Sequence, residues 1–438
     1  MNNNKATTQN LIASINSLPE ELLKSSMTGA NAKWTSHKIK TVRRYQTLDE
    51  INTKSKTWKR IADVALESPI KTTGLPKIDA RDPGSCPEGW SGYMEISEKG
   101  TTVCLSKEIK TAGVIFNDIV TEFGRSQSPL EKLLVNSIEN SNERLKSLAY
   151  SLADHGFYLS VPEGFRTEKP FKIVFTLSGS ANIMPLLFAT ELGKGSSIKL
   201  LLEFISDKSD NRPCFVPLTH IGKLGDESEL ELVEIQDLGS EALFFPNEAI
   251  EIGEKAVLNR FIMDKGSRML HRAFSADFCK TGGSGTVTGV YFPRTEQRYF
   301  YDTKQNHSAS NTTSSLLFKG VLDDAAFAEW KGNILVAEGV RGADGYQLSN
   351  TLLLNQAAHA ESIPGLEIST DDVKCSHGVT ISSVDKDQLF YLQTRGIDEA
   401  EGKKLIVDGF IRSALNRIKS IELQNYIKGN LDKTEEVF

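Results

Sequence analysis

With 438 residues, 25% of them charged and 39% hydrophobic, the chain is long enough to bury a large core in two or three structural units and too apolar to be disordered. A net charge of −6, a pI near 5.8 and the lack of any basic run argue against a nucleic-acid partner. No apolar run is long enough to span a bilayer, so no membrane segment is expected.

The start of the chain, Met1 to Lys5, is polar and lacks the apolar core of a secretory signal, and the first arginine is Arg43, which disfavours a transit peptide. Cys86, Cys104, Cys214, Cys279 and Cys375 are odd in number, widely spread and without a Cys-x-x-Cys, which points to a reducing compartment. The expected location is cytoplasmic, with a plastid stroma left open.

Residues 1–156 read mostly as helix. Leu11, Ile12, Ile15 and Leu18 form a short apolar stripe, and Thr47 with Glu50 reads as a capping box ahead of a helix carrying Trp58, Ile61, Ala62 and Ala65 on one face. A Pro- and Gly-rich stretch near 68–107, with Asp82-Pro83-Gly84 and Cys86-Pro87-Glu88-Gly89, reads as an irregular connector or a small subdomain. Leu145, Leu148, Ala149 and Leu152 then mark a helix, with Gly156 as its stop.

From Phe157 the period changes to 2. Phe171, Ile173, Phe175 and Leu177 alternate with less apolar neighbours, as do Ile198, Leu200, Leu202 and Phe204, and short strands separated by turns such as Gly282-Gly283-Ser284-Gly285 continue to Val384. Helical interruptions are nearly absent, which excludes a doubly wound sheet. Residues 157–384 are too many for one sandwich, whereas a coil lengthens by stacking turns, so a β-solenoid is predicted even though no internal repeat is visible. A double β-sandwich is the alternative.

After Val384 the period returns to helix over 385–438. Asp385 with Gln388 and Asp398 with Glu401 are N-terminal caps, Gly396 is a stop, and Val407, Ile411, Leu415 and Ile418 form a stripe with Phe410 beside it. This face either packs on the coil or binds a partner. The charged tail from Asn425 to Phe438 is expected to fray.

Chemistry is sparse in these residues. There is no phosphate-binding Gly-x-x-x-x-Gly-Lys, no Gly-x-Ser-x-Gly and no His-Glu-x-x-His, so no catalytic residue is assigned. The best candidate pair is Cys375 and His377. Two apart on a strand, they look the same way, so a thiol and an imidazole share one surface, a donor pair suited to iron or zinc. They lie at the end of the β-region, where an open coil presents unpaired backbone to which another β-protein can add strands. His359 and Glu361, also two apart, are expected to face the same seam from one turn back.

The stretches Lys319-Gly320-Val321-Leu322, Ile363-Pro364-Gly365-Leu366-Glu367-Ile368, Asp372-Val373-Lys374-Cys375-Ser376-His377-Gly378 and Asp387-Gln388-Leu389-Phe390-Tyr391-Leu392 resemble the SufB/SufD family of iron–sulfur cluster assembly, in wording closest to its SufD branch. The resemblance implies a mainly β fold, a right-handed parallel β-helix flanked by helical ends. It implies a non-catalytic scaffold that pairs with a SufB-like subunit through the C-terminal end of the coil and holds a SufC-like ATPase with its C-terminal helices, here through Phe390, Val407, Phe410, Ile411 and Leu415.

It further implies a transient nascent cluster shared at the interface by Cys375 and His377, sulfur arriving from a cysteine desulfurase or sulfurtransferase, and reduced flavin as an electron source in the complex. A homodimer of the chain alone is left open. SufB-type members carry a cysteine in the segment matching His359 to Ser362, where this chain has Ala360 and Glu361, which favours SufD over a SufB-like principal scaffold. The competing classes are a β-helix enzyme acting on polysaccharide and a metal-free structural solenoid.

Overall fold

The structure is a computed structural model that describes residues 9–10, 15, 32–51, 54, 56–62, 65–66, 86–139, 144–177, 183–206 and 213–435. Leu11, Ile12, Leu18 and the Asp82-Pro83-Gly84 turn lie outside them. Six helices precede the coil: α1 (Ala32–Thr47), α2 (Lys56–Ala62), α3 (Lys107–Thr111), α4 (Ile119–Gly124), α5 (Pro129–Glu139) and α6 (Arg144–Leu152), counted among the described residues. No helix among them is long and apolar enough to cross a membrane.

The centre is a parallel β-solenoid of about eight turns, each giving one strand to each of two walls. One wall holds β1 (His155–Val161), β3 (Leu186–Leu192), β5 (Cys214–Leu224), β7 (Ala242–Ile252), β9 (Met269–Phe278), β11 (Arg298–His307), β13 (Phe327–Val336) and β15 (His359–Ile368). The other holds β2 (Phe171–Leu177), β4 (Ser197–Ser206), β6 (Glu229–Asp237), β8 (Val257–Asp264), β10 (Ser284–Tyr291), β12 (Thr313–Leu322), β14 (Ala343–Leu353) and β16 (Val373–Ser383). Parallel register between alternate strands settles the choice against a double sandwich. The turn length explains why no repeat is legible: 26 residues separate Leu243 from its partner Met269, and 32 separate Phe327 from His359.

Inside the coil, inward side chains of both walls form one apolar column, including Phe188, Phe204, Phe244, Tyr301, Phe318 and Trp330. Each such side chain, fully buried, contributes roughly 2 kcal/mol of transfer free energy. Trp330 needs Gly332 two places on, since a Cβ there would meet its ring at 2.1 Å. Outside, the first wall is covered by the N-terminal helices, with Val42, Tyr45, Ile61, Leu148 and Leu152 against Phe215, Leu243, Phe245, Met269 and Phe300. The second wall is covered by α8 (Glu399–Leu415) and α9 (Ile421–Glu435), which follow α7 (Lys386–Thr394).

Several local expectations are corrected. Thr47 is the last residue of α1 and donates its hydroxyl to the Arg44 carbonyl, so it caps no following helix, and Ala65 belongs to a two-residue strand outside α2. Gly156 lies inside β1 rather than at a helix end, and a side chain there would strike the Leu187 carbonyl oxygen at 1.8 Å. The described part of the connector is a hairpin, Gly92–Ser97 with Gly100–Leu105, that extends the second wall beside β2.

Cys86, ahead of the hairpin, is joined by a disulfide to Cys104 in its second strand, with Cα atoms 5.4 Å apart, a pairing that the reducing-compartment reading did not anticipate. The tail does not fray over its described length: α9 runs to Glu435 and buries Leu423, Ile427 and Leu431, one face at helical spacing. The caps at Asp385 and Asp398 form as expected, each carboxylate accepting backbone N–H bonds, and Gly396 takes a positive φ of 84°.

Candidate functional site

Among the described residues the coil ends without a cover. β15 and β16 each pair with an earlier strand on one edge, and no described strand lies beyond either. Not one residue of either is fully buried, whereas the strands below them are mostly buried.

Register assigns the faces. Cys375 stands over Gly345 and His377 over Gln347, and both underlying residues are buried in the interior. The inward set of β16 is therefore Val373, Cys375, His377, Val379 and Ile381, and that of β15 is Ala360, Ser362, Pro364, Leu366 and Ile368. Leu366, Ile368, Val379 and Ile381 remain exposed because no further turn lies on them. The open end is a mouth with an apolar rim.

Cys375 and His377 thus share one face of the last strand, as the period-2 spacing predicts. The Cys375 thiol is half-buried against Ile334, Val336, Val340 and Ala343, and burial pushes its pKa up. A resting thiol, protonated at neutral pH, becomes a good nucleophile or ligand when a cation or metal offsets that burial. His377 is exposed, and below it the Gln347 amide donates to the carbonyls of Gly332 and Gly365, each at 3.1 Å, tying the two walls together. Among the described residues no group of three or more His, Cys, Asp and Glu side chains is placed to hold a metal ion. The thiol and imidazole fit iron as half of a tetrahedral ligand set.

His359 and Glu361 are not brought to this seam. They stand on the outer face of the first wall, where Glu361 bonds Arg60 of α2 and His359 lies 3.3 Å from Glu361. Of the five residues assigned to an ATPase, Val407, Ile411 and Leu415 are buried against the second wall and Phe410 is partly buried beside Lys319. Only Phe390 of the five is exposed, at 67%; Tyr391 and Leu405 are exposed large side chains too, which the stripe reading missed because neither falls on the helical repeat it followed. The apolar rim was also missed; its signal was that Val379 and Ile381 are inward positions of a strand after which no further strand pattern follows.

The SufBD core domain of the SUF system for FeS cluster assembly matches residues 178–410, a little over half of the chain and inclusive of the mouth. The chain belongs to the SufBD family. It is 25% identical to the iron–sulfur cluster assembly protein SufD of Bacillus subtilis over 332 residues, 74% of this chain and 75% of that protein. It is 29% identical to a SufBD family protein of Mycobacterium tuberculosis over 220 residues, 48% of this chain. A SufBD family protein of Staphylococcus aureus is 21% identical over 75% of the chain and 71% of its own length. The chain spans a little over half the length of the mycobacterial relatives it matches. The matched family and these relatives are named for iron–sulfur cluster assembly, and the Bacillus subtilis relative is a SufD.

Proposed function

We propose that this SufD-like chain is a non-catalytic scaffold whose open mouth docks end to end on the corresponding mouth of a SufB-like subunit, and that Cys375 and His377 contribute ligands to a nascent cluster passing through that seam. The observation that carries the reading is the rim of inward apolar side chains, Leu366, Ile368, Val379 and Ile381, left uncovered around a thiol and an imidazole. A second coil stacked on this end would pair the free strand edges and bury the rim. The cluster is cargo: iron and sulfide arrive, are held by ligands from two chains, and leave. No thiol occurs between His359 and Ile368, so the partner would supply the principal sulfur-accepting cysteine.

The test is anaerobic co-production with a SufB-like subunit and a SufC-like ATPase, followed by iron and sulfide analysis. His377→Ala is expected to lower both contents several-fold while the subunits still co-purify; unchanged contents would remove His377 from the ligand set. The ATPase is proposed to bind the surface around Phe390, Tyr391 and Leu405. Truncating the C-terminal helices would strip the second wall of its cover, so the informative variant is Phe390→Ala with Tyr391→Ala, expected to abolish ATPase co-purification.

A further inference from the structure

We propose that Arg60, in the N-terminal arm, is a positioning residue for the docking end: it straps the terminal strand β15 onto the turn below. The inference rests on reading the open end as a docking surface.

β15 is held by backbone hydrogen bonds along one edge, and strands in that position open most readily. Its side chains create a difficulty. Glu361 is the register partner of Glu329 on β13, so two carboxylates stand on the same outer face one strand spacing apart, about 4.8 Å. Like charges directly opposite drive strands apart. Water does little to relieve this, because the Glu329 side chain is 1% exposed.

The Arg60 guanidinium lies between the two. Its Nη1 donates to Glu329 Oε2 at 2.9 Å and to Glu361 Oε2 at 3.0 Å, and its Nη2 donates to Glu361 Oε1 at 2.6 Å. The same group sits over the Phe327 ring, 4.5 Å from its centroid, and the His359 ring stacks on the edge of this patch 5.7 Å from Phe327. Lys331 Nζ, 2.8 Å from Glu329 Oε1, adds a second positive charge on the lower strand, and Thr57 of α2 bonds the same carboxylate. A planar fork gives Glu361 two parallel bonds while still reaching Glu329, a bidentate geometry that an ammonium does not offer.

Arg60 thereby converts a repulsion between the last two strands of the wall into a bridge. The N-terminal arm, through this one group, keeps β15 in the register that gives Leu366 and Ile368 their place on the rim. Charge on Glu361 is harmful to the wall without Arg60 and useful with it.

The experiment compares hydrogen exchange in the full chain for the wild type, Arg60→Ala and the double variant Arg60→Ala, Glu361→Gln, alongside co-purification with a SufB-like partner. Arg60→Ala is expected to speed exchange of the 359–368 amides by about tenfold or more, the consequence of losing charge-assisted bonds, with the 242–278 strands unchanged, and to weaken pairing. Adding Glu361→Gln removes the repulsion and is expected to restore much of the protection, a rescue that simple loss of packing would not give. If Arg60→Ala does not fold, Arg60→Lys, which keeps the charge and loses the fork, is expected to shift exchange in the same direction. Exchange in 359–368 equal to wild type in these variants overturns the strap. If the exchange responds as expected but the wild type pairs with no partner, it is the docking reading that fails.

Discussion

The middle turns of the coil and its last turn are made of the same pleated strands, yet the middle hides charge and the end exposes hydrocarbon. Between β5 and β11 five ionisable side chains lie inside the walls. Arg272 contacts Glu248, Glu234 and Asp264, each at 2.7 Å, and Arg260 reaches Glu234 at 2.9 Å and Glu248 at 2.5 Å. Tyr301 donates to Asp264 at 3.1 Å, and the His220 ring lies 3.6 Å from Glu248.

Burial raises the Glu234 pKa against the pull of Arg272. Burial acts on Glu248 as well, but Arg260, His220 and Arg272 hold that carboxyl below the usual range. Turns above and below seal this group, so each charge depends on its neighbours. At the mouth no described residue seals the last strands, and apolar side chains there stay exposed. A solenoid interior tolerates polarity where partners are complete, and its ends acquire function where they are not.

The contrast is sharpest under Arg272→Ala. Three buried carboxylates then lose a counter-ion, the principal one in the case of Glu234, and a stability loss of about 3–5 kcal/mol is expected in urea unfolding. A loss near zero would mean water reaches the centre of the coil and the two regions do not differ.

A smaller effect comes from pH. Burial is the first cause that lowers His37, His155 and His307 from 6.5 to about 4, and the His307 ring is further committed to Thr312 at 2.7 Å and Ser314 at 2.8 Å. These rings are neutral in the fold and take up protons near pH 6.5 once unfolded. Their contribution is therefore intact above pH 6.5, falls as pH drops toward 4 and levels off below it. The loss should be on the order of 3 kcal/mol or less for each ring over that window. Denaturant midpoints measured at pH 7 and pH 4.5 would check it.

Substitutions at the mouth should do least to the isolated chain. Val379→Ser with Ile381→Ser is expected to shift stability by about 0.5 kcal/mol or less, since both side chains are already exposed, while abolishing pairing with a SufB-like subunit. Retained pairing would break the claim that the rim is the docking surface. Thiol labelling grades the regions directly: Cys279, which is exposed, should react first, half-buried Cys375 more slowly, and buried Cys214 only on unfolding. The Cys375 rate should climb as pH rises, because burial keeps its thiol protonated at neutral pH.

Much of this was legible in the residues. A strict period of two placed Cys375 and His377 on one face, and Asp385, Asp398 and Gly396 marked helix ends through their own local bonding. The coil itself was reached by elimination, because turns of unequal length leave no repeat to count. Local signals failed where two chemistries share one pattern. The Val407, Ile411 and Leu415 stripe reads equally as core or as partner surface, and only the second wall's apolar outer face decided for core. His359 and Glu361 were assigned to the wrong face because nothing local says which wall a strand joins.

The sequence by itself determined the run of strands, the helical ends, the family wording and the shared face of the thiol and imidazole, since each depends on neighbours a few residues away. Tertiary structure alone decided which apolar residues are core and which are rim, and it alone brought Arg60 to Glu361 across a separation of 301 residues. Burial and charge pairing are properties of what packs against a residue, and in a coil that neighbour lies a whole turn, or most of the chain, away.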